Sequence, residues 1–178
     1  LRPVARDQGP DVVLNPQQMN ILIPTVSPES VEALVFDLGG VLLDVQLQRT
    51  LRAFEALDIR GLGAAEVIDG NRACFRDLEL GLITQEEFAE AVRRTFPAVA
   101  AIPDEQLLEA WNAMLMPFDA QRVELLRELG KRCPVYLLSN TNLPHRIRFR
   151  ESFRERFGGS FDELFVRCFY SDELHLRK

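Results

Sequence analysis

Lysine is nearly missing from this sequence. Of its 21 basic residues, only Lys131 and Lys178 are lysines, and the rest are arginines. A basic excess is missing too: the formal net charge of −6 argues against a general nucleic-acid binder, which needs a basic surface. Cysteine is scarce. Cys74, Cys133 and Cys168 are odd in number, far apart and without a CxxC pair, which fits free thiols in a reducing compartment better than disulfides or zinc. No apolar run approaches the roughly 20 residues needed to cross a bilayer, and no basic stretch leads into an apolar signal segment. The expected setting is cytoplasmic, with neither membrane nor nucleic acid as partner. Internal repeats and low-complexity tracts are also lacking.

What is present is about one domain's worth of chain, 178 residues, 47% hydrophobic and 27% charged. Residues 1–31 hold Pro3, Pro10, Pro16, Pro24 and Pro28, half of all the prolines, with no helical or strand period, and read as an extended N-terminal arm. From residue 45 to 117 the pattern is helical. Leu47, Leu51, Phe54 and Leu57 form one apolar stripe. Val67, Ile68, Cys74, Phe75 and Leu78 form a second, with Gly81 as its stop. Thr84 and Glu87 make a capping box that opens a third helix, and Pro103-Asp104 starts a fourth, in which Trp111 packs inward with Leu107, Leu108 and Leu115. Asp119 caps a further helix that Gly130 closes. Pro134–Leu138 and Phe165–Phe169 read as strands on either side of a helix from about 144 to 157, which implies a parallel βαβ crossover. The expected architecture is α/β: a Rossmann-like parallel sheet built from 32–44 and 118–178, interrupted by an inserted four-helix cap at 45–117.

The chemistry concentrates at strand ends. Ala33-Leu34-Val35-Phe36 reads as a strand buried on both faces, ending in Asp37 and then Gly39-Gly40, which let the backbone turn close to a bound group. Leu137-Leu138 ends in Ser139-Asn140-Thr141-Asn142. Parallel strands put these ends along one edge, where α/β sheets bind ligands, so Asp37, Ser139 and Asn140 are expected to converge. A carboxylate nucleophile, a hydroxyl and a lysine are the parts of phosphoryl transfer through an aspartyl-phosphate.

Phe36-Asp37-Leu38-Gly39-Gly40-Val41 resembles the first motif of haloacid-dehalogenase-superfamily hydrolases, Leu137-Leu138-Ser139-Asn140 the second, and Arg177-Lys178 the lysine motif. The run Ser139–Asn142 followed by His145 is similar to the sugar-phosphate phosphatases that include alpha-D-glucose-1-phosphatase. The resemblance implies Asp37 as nucleophile and magnesium ligand, and the Gly39 carbonyl as a second magnesium ligand. Ser139 would bind the phosphoryl group, Lys178 would neutralise it, and Asn140 and His145 would face the substrate. The partner is then a small phosphate ester, with Mg2+ as cofactor; nothing in the sequence sets the oligomeric state. Gly39 stands where most of these phosphatases carry a second aspartate, so no proton-transfer group is assigned. Asp44 reads better as the cap of the first inserted helix. The chain also stops at the lysine motif, short of the family's fourth acidic motif. That implies a fragment or a shortened protein of low turnover. Two other readings stay open: a metal-independent 2-haloacid dehalogenase using the same aspartate, or a protein that kept the fold for binding or regulation without catalysis. Arg146, Arg148, Arg150, Arg154 and Arg156, interleaved with Glu151 and Glu155, read as a solvated helix face. Arg49, Arg52, Arg72 and Arg76 are candidates to meet a phosphate or sugar.

Overall fold

The computed structural model describes residues 30–63 and 73–178. The chain divides into two compact units, Leu1–Val31 and Glu32–Lys178, and the second holds all the strands and α-helices of the described residues. Val67, Ile68 and Arg72, which belong to the second apolar stripe and to the candidate arginines, lie outside the described residues.

Three strands, β1 (Leu34–Phe36), β2 (Val135–Ser139) and β3 (Arg167–Tyr170), form a parallel sheet in the order β1-β2-β3. Phe36 sits opposite Leu137, and Ser139 opposite Tyr170. Every strand therefore ends on the same edge, as a parallel crossover requires. The third strand starts two residues later than Phe165–Phe169 predicts. A 3-10 turn at Phe161–Leu164 takes up the preceding residues, although Val166 N still donates to Val135 O at 2.8 Å.

One face of the sheet is packed. Val135, Leu137 and Tyr170 point into a cluster with Phe118, Phe149, Phe153 and Phe161. Their rings meet mostly edge-on at about 5 Å, the arrangement that aromatic quadrupoles favour. The other face is open: Val35 is 64% and Leu138 37% exposed. The expectation of a first strand buried on both faces is thus wrong: among the described residues no layer covers the outward side chain of Val35.

Between β1 and the sheet's return lie α1 (Leu47–Ala56), α2 (Ala73–Glu79), α3 (Gln85–Thr95) and α4 (Asp104–Asn112). They enclose a second cluster in which Phe75, Phe88 and Trp111 stack within 5.1–5.8 Å of one another. The chain enters and leaves this helical layer through one short two-stranded crossing. There Gln46 N donates to Met114 O, and Met116 N to Asp44 O. The predicted capping box holds: Glu87 N donates to Thr84 Oγ1 and Thr84 N to Glu87 Oε2. Asp119 caps α5 (Ala120–Gly130) by accepting from Gln121 N and Arg122 N.

Asp44 is not a cap. The residue before α1 is Gln46, which makes no side-chain cap bond, and Asp44 instead accepts from Arg122 at 2.6 Å across to α5. The arginine-rich face of α6 (Leu143–Phe157) is also not simply solvated. Arg146 is buried and bonded to Asp172 and Glu173, and Arg150 pairs with Asp162 at 2.6 Å. These carboxylates come from beyond the helix, where an i,i+4 pattern cannot find them.

Gly81, predicted to stop the second helix, has φ +63°, and a Cβ there would lie 2.0 Å from the Asp172 carbonyl oxygen. Gly81→Ala should therefore cost more than the roughly 1–2 kcal/mol of a left-handed alanine alone, because a backbone oxygen must also move. Urea unfolding of the two proteins measures it, and a loss under about 1 kcal/mol would show that α2 is not seated on α7 (Ser171–Leu174) in solution.

Candidate active site

A cavity of about 490 Å³ opens where the helical layer faces the carboxyl edge of the sheet. Asp37, Gly39, Ser139, Asn140, His145 and Lys178 all line it. The strand ends supply the first four, because a parallel sheet delivers them to one edge.

Asp37 follows β1 directly. Its Oδ1 accepts from Leu38 N at 2.7 Å and its Oδ2 lies 2.5 Å from Lys178 Nζ. Lys178 is held in three ways, since its Nζ also donates to Leu138 O at 3.1 Å and its backbone N donates to Asn140 Oδ1 at 3.0 Å. Asn140 thus orients the lysine as well as facing the cavity. Ser139 is 97% buried, with its hydroxyl 3.3 Å from Asn140 O. After Asp37 the backbone closes a tight turn, in which the amides of Val41, Leu42 and Leu43 converge on Leu38 O. Gly40 sits at φ +76° within it. Among the described residues the Gly39 carbonyl accepts no hydrogen bond and stays available to a ligand.

His145 is set by its surroundings. Asn142 caps α6 by accepting from His145 N at 3.0 Å, and Trp111 stacks on the imidazole with centroids 4.8 Å apart. His145 Nδ1 lies 2.7 Å from Asn112 Oδ1, so Nδ1 is the protonated nitrogen and Nε2 the free acceptor. Burial lowers its pKa to about 3, which keeps the ring neutral. Trp111 lies in the helical core as predicted, and its indole N–H also reaches Asn142 Oδ1 at 3.3 Å. The one tryptophan therefore ties the helical core to the start of α6.

One charged wall residue, Glu79, has no local sequence signal. Glu79, at the end of α2, lies beside Arg177, with Arg177 Nε 2.6 Å from Glu79 Oε1. That oxygen is buried and has no hydrogen bond, so the contact is a close ion pair rather than an aligned bond. Burial raises the Glu79 pKa and Arg177 partly offsets this. Arg49 donates to Ala113 O, Arg76 lies near Asp77, and neither they nor Arg52 lines the cavity. Asp44 does not reach the cavity either. Among the described residues no group of three or more histidines, cysteines, aspartates or glutamates could hold a metal by itself.

No protein-family model matches the chain. It is 27% identical, over 112 residues, to a D-ribitol-5-phosphate phosphatase from Bacteroides thetaiotaomicron. That match takes in 63% of this chain and 53% of the relative, so the chain spans about half the length of the curated protein it matches. Among solved structures, the magnesium complex of a HAD family enzyme from Bacteroides thetaiotaomicron superposes with a TM-score of 0.72 at 28% identity, over 83% of this chain and 71% of that one. An aspartate-to-alanine mutant of that enzyme, solved with magnesium and inorganic phosphate, gives 0.75 at 27%, over 83% and 72%. A predicted HAD-like family hydrolase from Porphyromonas gingivalis gives 0.71 at 28%, over 83% and 70%. In sequence and in fold the chain is thus similar to HAD family enzymes. Its sheet and inserted helices are those of this HAD-like α/β fold, and no described helix is long and apolar enough to cross a membrane.

Because His145 is neutral in the folded protein but titrates near 6.5 when unfolded, the unfolded chain takes up the extra proton between those values. Its contribution is complete above pH 6.5 and is lost as pH falls toward 3. The expected drop in unfolding free energy from pH 7 to pH 5 is about 2 kcal/mol larger in the wild type than in His145→Gln. Equal drops in the two proteins would mean that the buried ring accepts a proton in place.

Proposed function

We propose that the protein is a magnesium-dependent phosphatase of small phosphate esters, sugar or polyol phosphates, working through a phosphoryl-Asp37 intermediate. The observation that carries this reading is the 2.5 Å approach of Lys178 to Asp37 at the floor of a cavity shared with Ser139. The phosphate-ester activity of the ribitol-5-phosphate phosphatase, and the magnesium and phosphate complexes of the Bacteroides enzyme, support it.

The donor set suits the metal. One carboxylate oxygen of Asp37 and the free Gly39 carbonyl are hard oxygen donors, and magnesium commonly takes few protein ligands and completes its shell with water and phosphate oxygens. When bound it offsets negative charge on the phosphoryl oxygens. The chain's own residues do the rest. An Asp37 oxygen attacks phosphorus as the ester P–O bond breaks, and the leaving alkoxide takes its proton from a water molecule, which leaves as hydroxide. Gly39, two residues on, has no proton to give. The Leu38 amide keeps the carboxylate turned into the site, and Ser139 Oγ is placed to donate to a phosphoryl oxygen. Lys178 balances the charge that builds on phosphorus, its ammonium held by Leu138 O. Water then attacks the phosphoryl-aspartate, releasing inorganic phosphate and restoring the carboxylate. Neutral His145, held by Trp111 and Asn112, offers Nε2 as an acceptor for a substrate hydroxyl. The helical layer covers the cavity and is the natural source of specificity.

The test is binding of a phosphoryl mimic, which needs no turnover. Fluoroberyllate and magnesium together should raise the unfolding free energy, by about 2.7 kcal/mol when the mimic is at a hundred times its Kd, and neither alone should do so. Asp37→Asn should abolish the shift and Lys178→Met should weaken it at least tenfold in Kd, about 1.4 kcal/mol. Phosphate release from polyol and sugar phosphates should follow the same order. A shift that survives Asp37→Asn would overturn the reading.

A further inference from the structure

The Lys178–Asp37 pair is not self-supporting. The two side chains are 31% and 39% exposed, and ion pairs at such exposure contribute little by themselves. A lysine side chain also resists being fixed, because its four-carbon stem loses rotamer freedom. Its placement therefore has to come from elsewhere.

The segment that carries it, from Ser171 to Lys178, is stitched to the helical layer at one turn. Ser171 Oγ lies 2.8 Å from the Glu79 carbonyl oxygen and 2.9 Å from that of Thr141, and it accepts from Thr141 N at 2.9 Å. Gly81 packs directly on the Asp172 backbone. His175 adopts a left-handed backbone, φ 55°, and its Nδ1 donates to the Leu80 carbonyl at 2.7 Å. The last contact before Lys178 is Arg177 with Glu79, at 2.6 Å. Glu79 is more enclosed than either member of the Lys178–Asp37 pair, so its charge is less screened, and removing one partner leaves a partly buried charge uncompensated.

We propose that Glu79 is a positioning residue for Lys178. By fixing Arg177 it fixes the neighbouring backbone, and with it where the ammonium stands over Asp37. Because Glu79 ends α2, the ammonium takes its place only when the helical layer is seated on the sheet edge. What the ammonium does there rests on the phosphatase reading; where it stands does not.

The small number of lysines makes this measurable. Acetic anhydride labelling followed by peptide mass spectrometry reads Lys178 against Lys131, which pairs locally with Glu128 and serves as an internal control. In Glu79→Gln, Lys178 should label about tenfold faster with Lys131 unchanged. Arg177→Gln should do the same, and the double variant should add nothing, as expected for two groups acting as one unit. In turnover, kcat should fall about tenfold while KM shifts by less than about twofold. Unchanged Lys178 labelling in Glu79→Gln overturns the proposal, as does equal acceleration of both lysines, which would mean a general loosening. If magnesium-dependent turnover is absent even in the wild type, the phosphatase reading fails, and the labelling ratio still decides the positioning role.

Discussion

The site depends on the register of three short parallel strands. With Phe36 opposite Leu137 and Ser139 opposite Tyr170, the residues that follow each strand emerge at one edge within reach of a single ligand. Side chains alternate along a strand, so a slip of one residue would turn Val135, Leu137 and Tyr170 away from their cluster and take the strand ends out of alignment together. What holds the register is the aromatic packing beneath the sheet, where Phe118, Phe149, Phe153 and Phe161 press edge-on against one another and against the inward face of β2 and β3. Hydrophobic burial on one side of the sheet thus fixes the polar chemistry at its end.

The helical layer has a core of its own and meets the sheet through few, specific contacts. Trp111 is the most consequential. Its ring closes the layer's aromatic trio, its other face supports His145, and its N–H reaches the cap of α6. Against the backbone of the same residue, Thr50 is fully buried between the Trp111 carbonyl, which accepts from its hydroxyl at 2.9 Å, and the Met114 amide, which donates to it at 3.0 Å. One hydroxyl therefore satisfies two backbone groups at the end of α4, just before the chain crosses back to the sheet. Burial without such partners would cost on the order of 1–3 kcal/mol for each group. The layer is joined to the sheet by this crossing at one end and by the turn from Glu79 to Gly81 at the other.

Much of this was legible from local pattern. Thr84 and Glu87, Asp119 and Gly81 act through neighbours three or four residues away, and the structure places each where the spacing put it. The convergence of Asp37, Ser139, Asn140, His145 and Lys178 was legible by a different route, from the rule that parallel strands share an edge together with the motif resemblance. What failed was whatever depends on a distant partner. Asp44 looks like a cap by position, but its partner is Arg122, 78 residues away. Arg146 looks solvated by its neighbours, but the carboxylate it needs is Asp172, 26 residues on. Glu79 carried no signal because its partner is Arg177. The open face of β1 was missed for the same reason, since an apolar run does not say whether a second layer lies above it.

The basic residues of the fold divide by geometry. Where a cation must join elements through a partly enclosed carboxylate, the chain uses arginine: Arg146 on Asp172, Arg150 on Asp162, Arg177 on Glu79. A guanidinium is planar and weakly hydrated, so it tolerates burial and fixes direction. Beside Asp37 the cation is instead an ammonium, which concentrates its charge at the end of a narrow stem and leaves more of the cavity open than a planar fork would. Lys178 stands there with one carbonyl and one carboxylate as acceptors, and an ammonium has three N–H bonds to give. Among the described residues the third N–H meets no acceptor. Arginine thus makes these enclosed contacts, while of the two lysines Lys131 pairs locally with Glu128 and Lys178 lines the cavity beside Asp37.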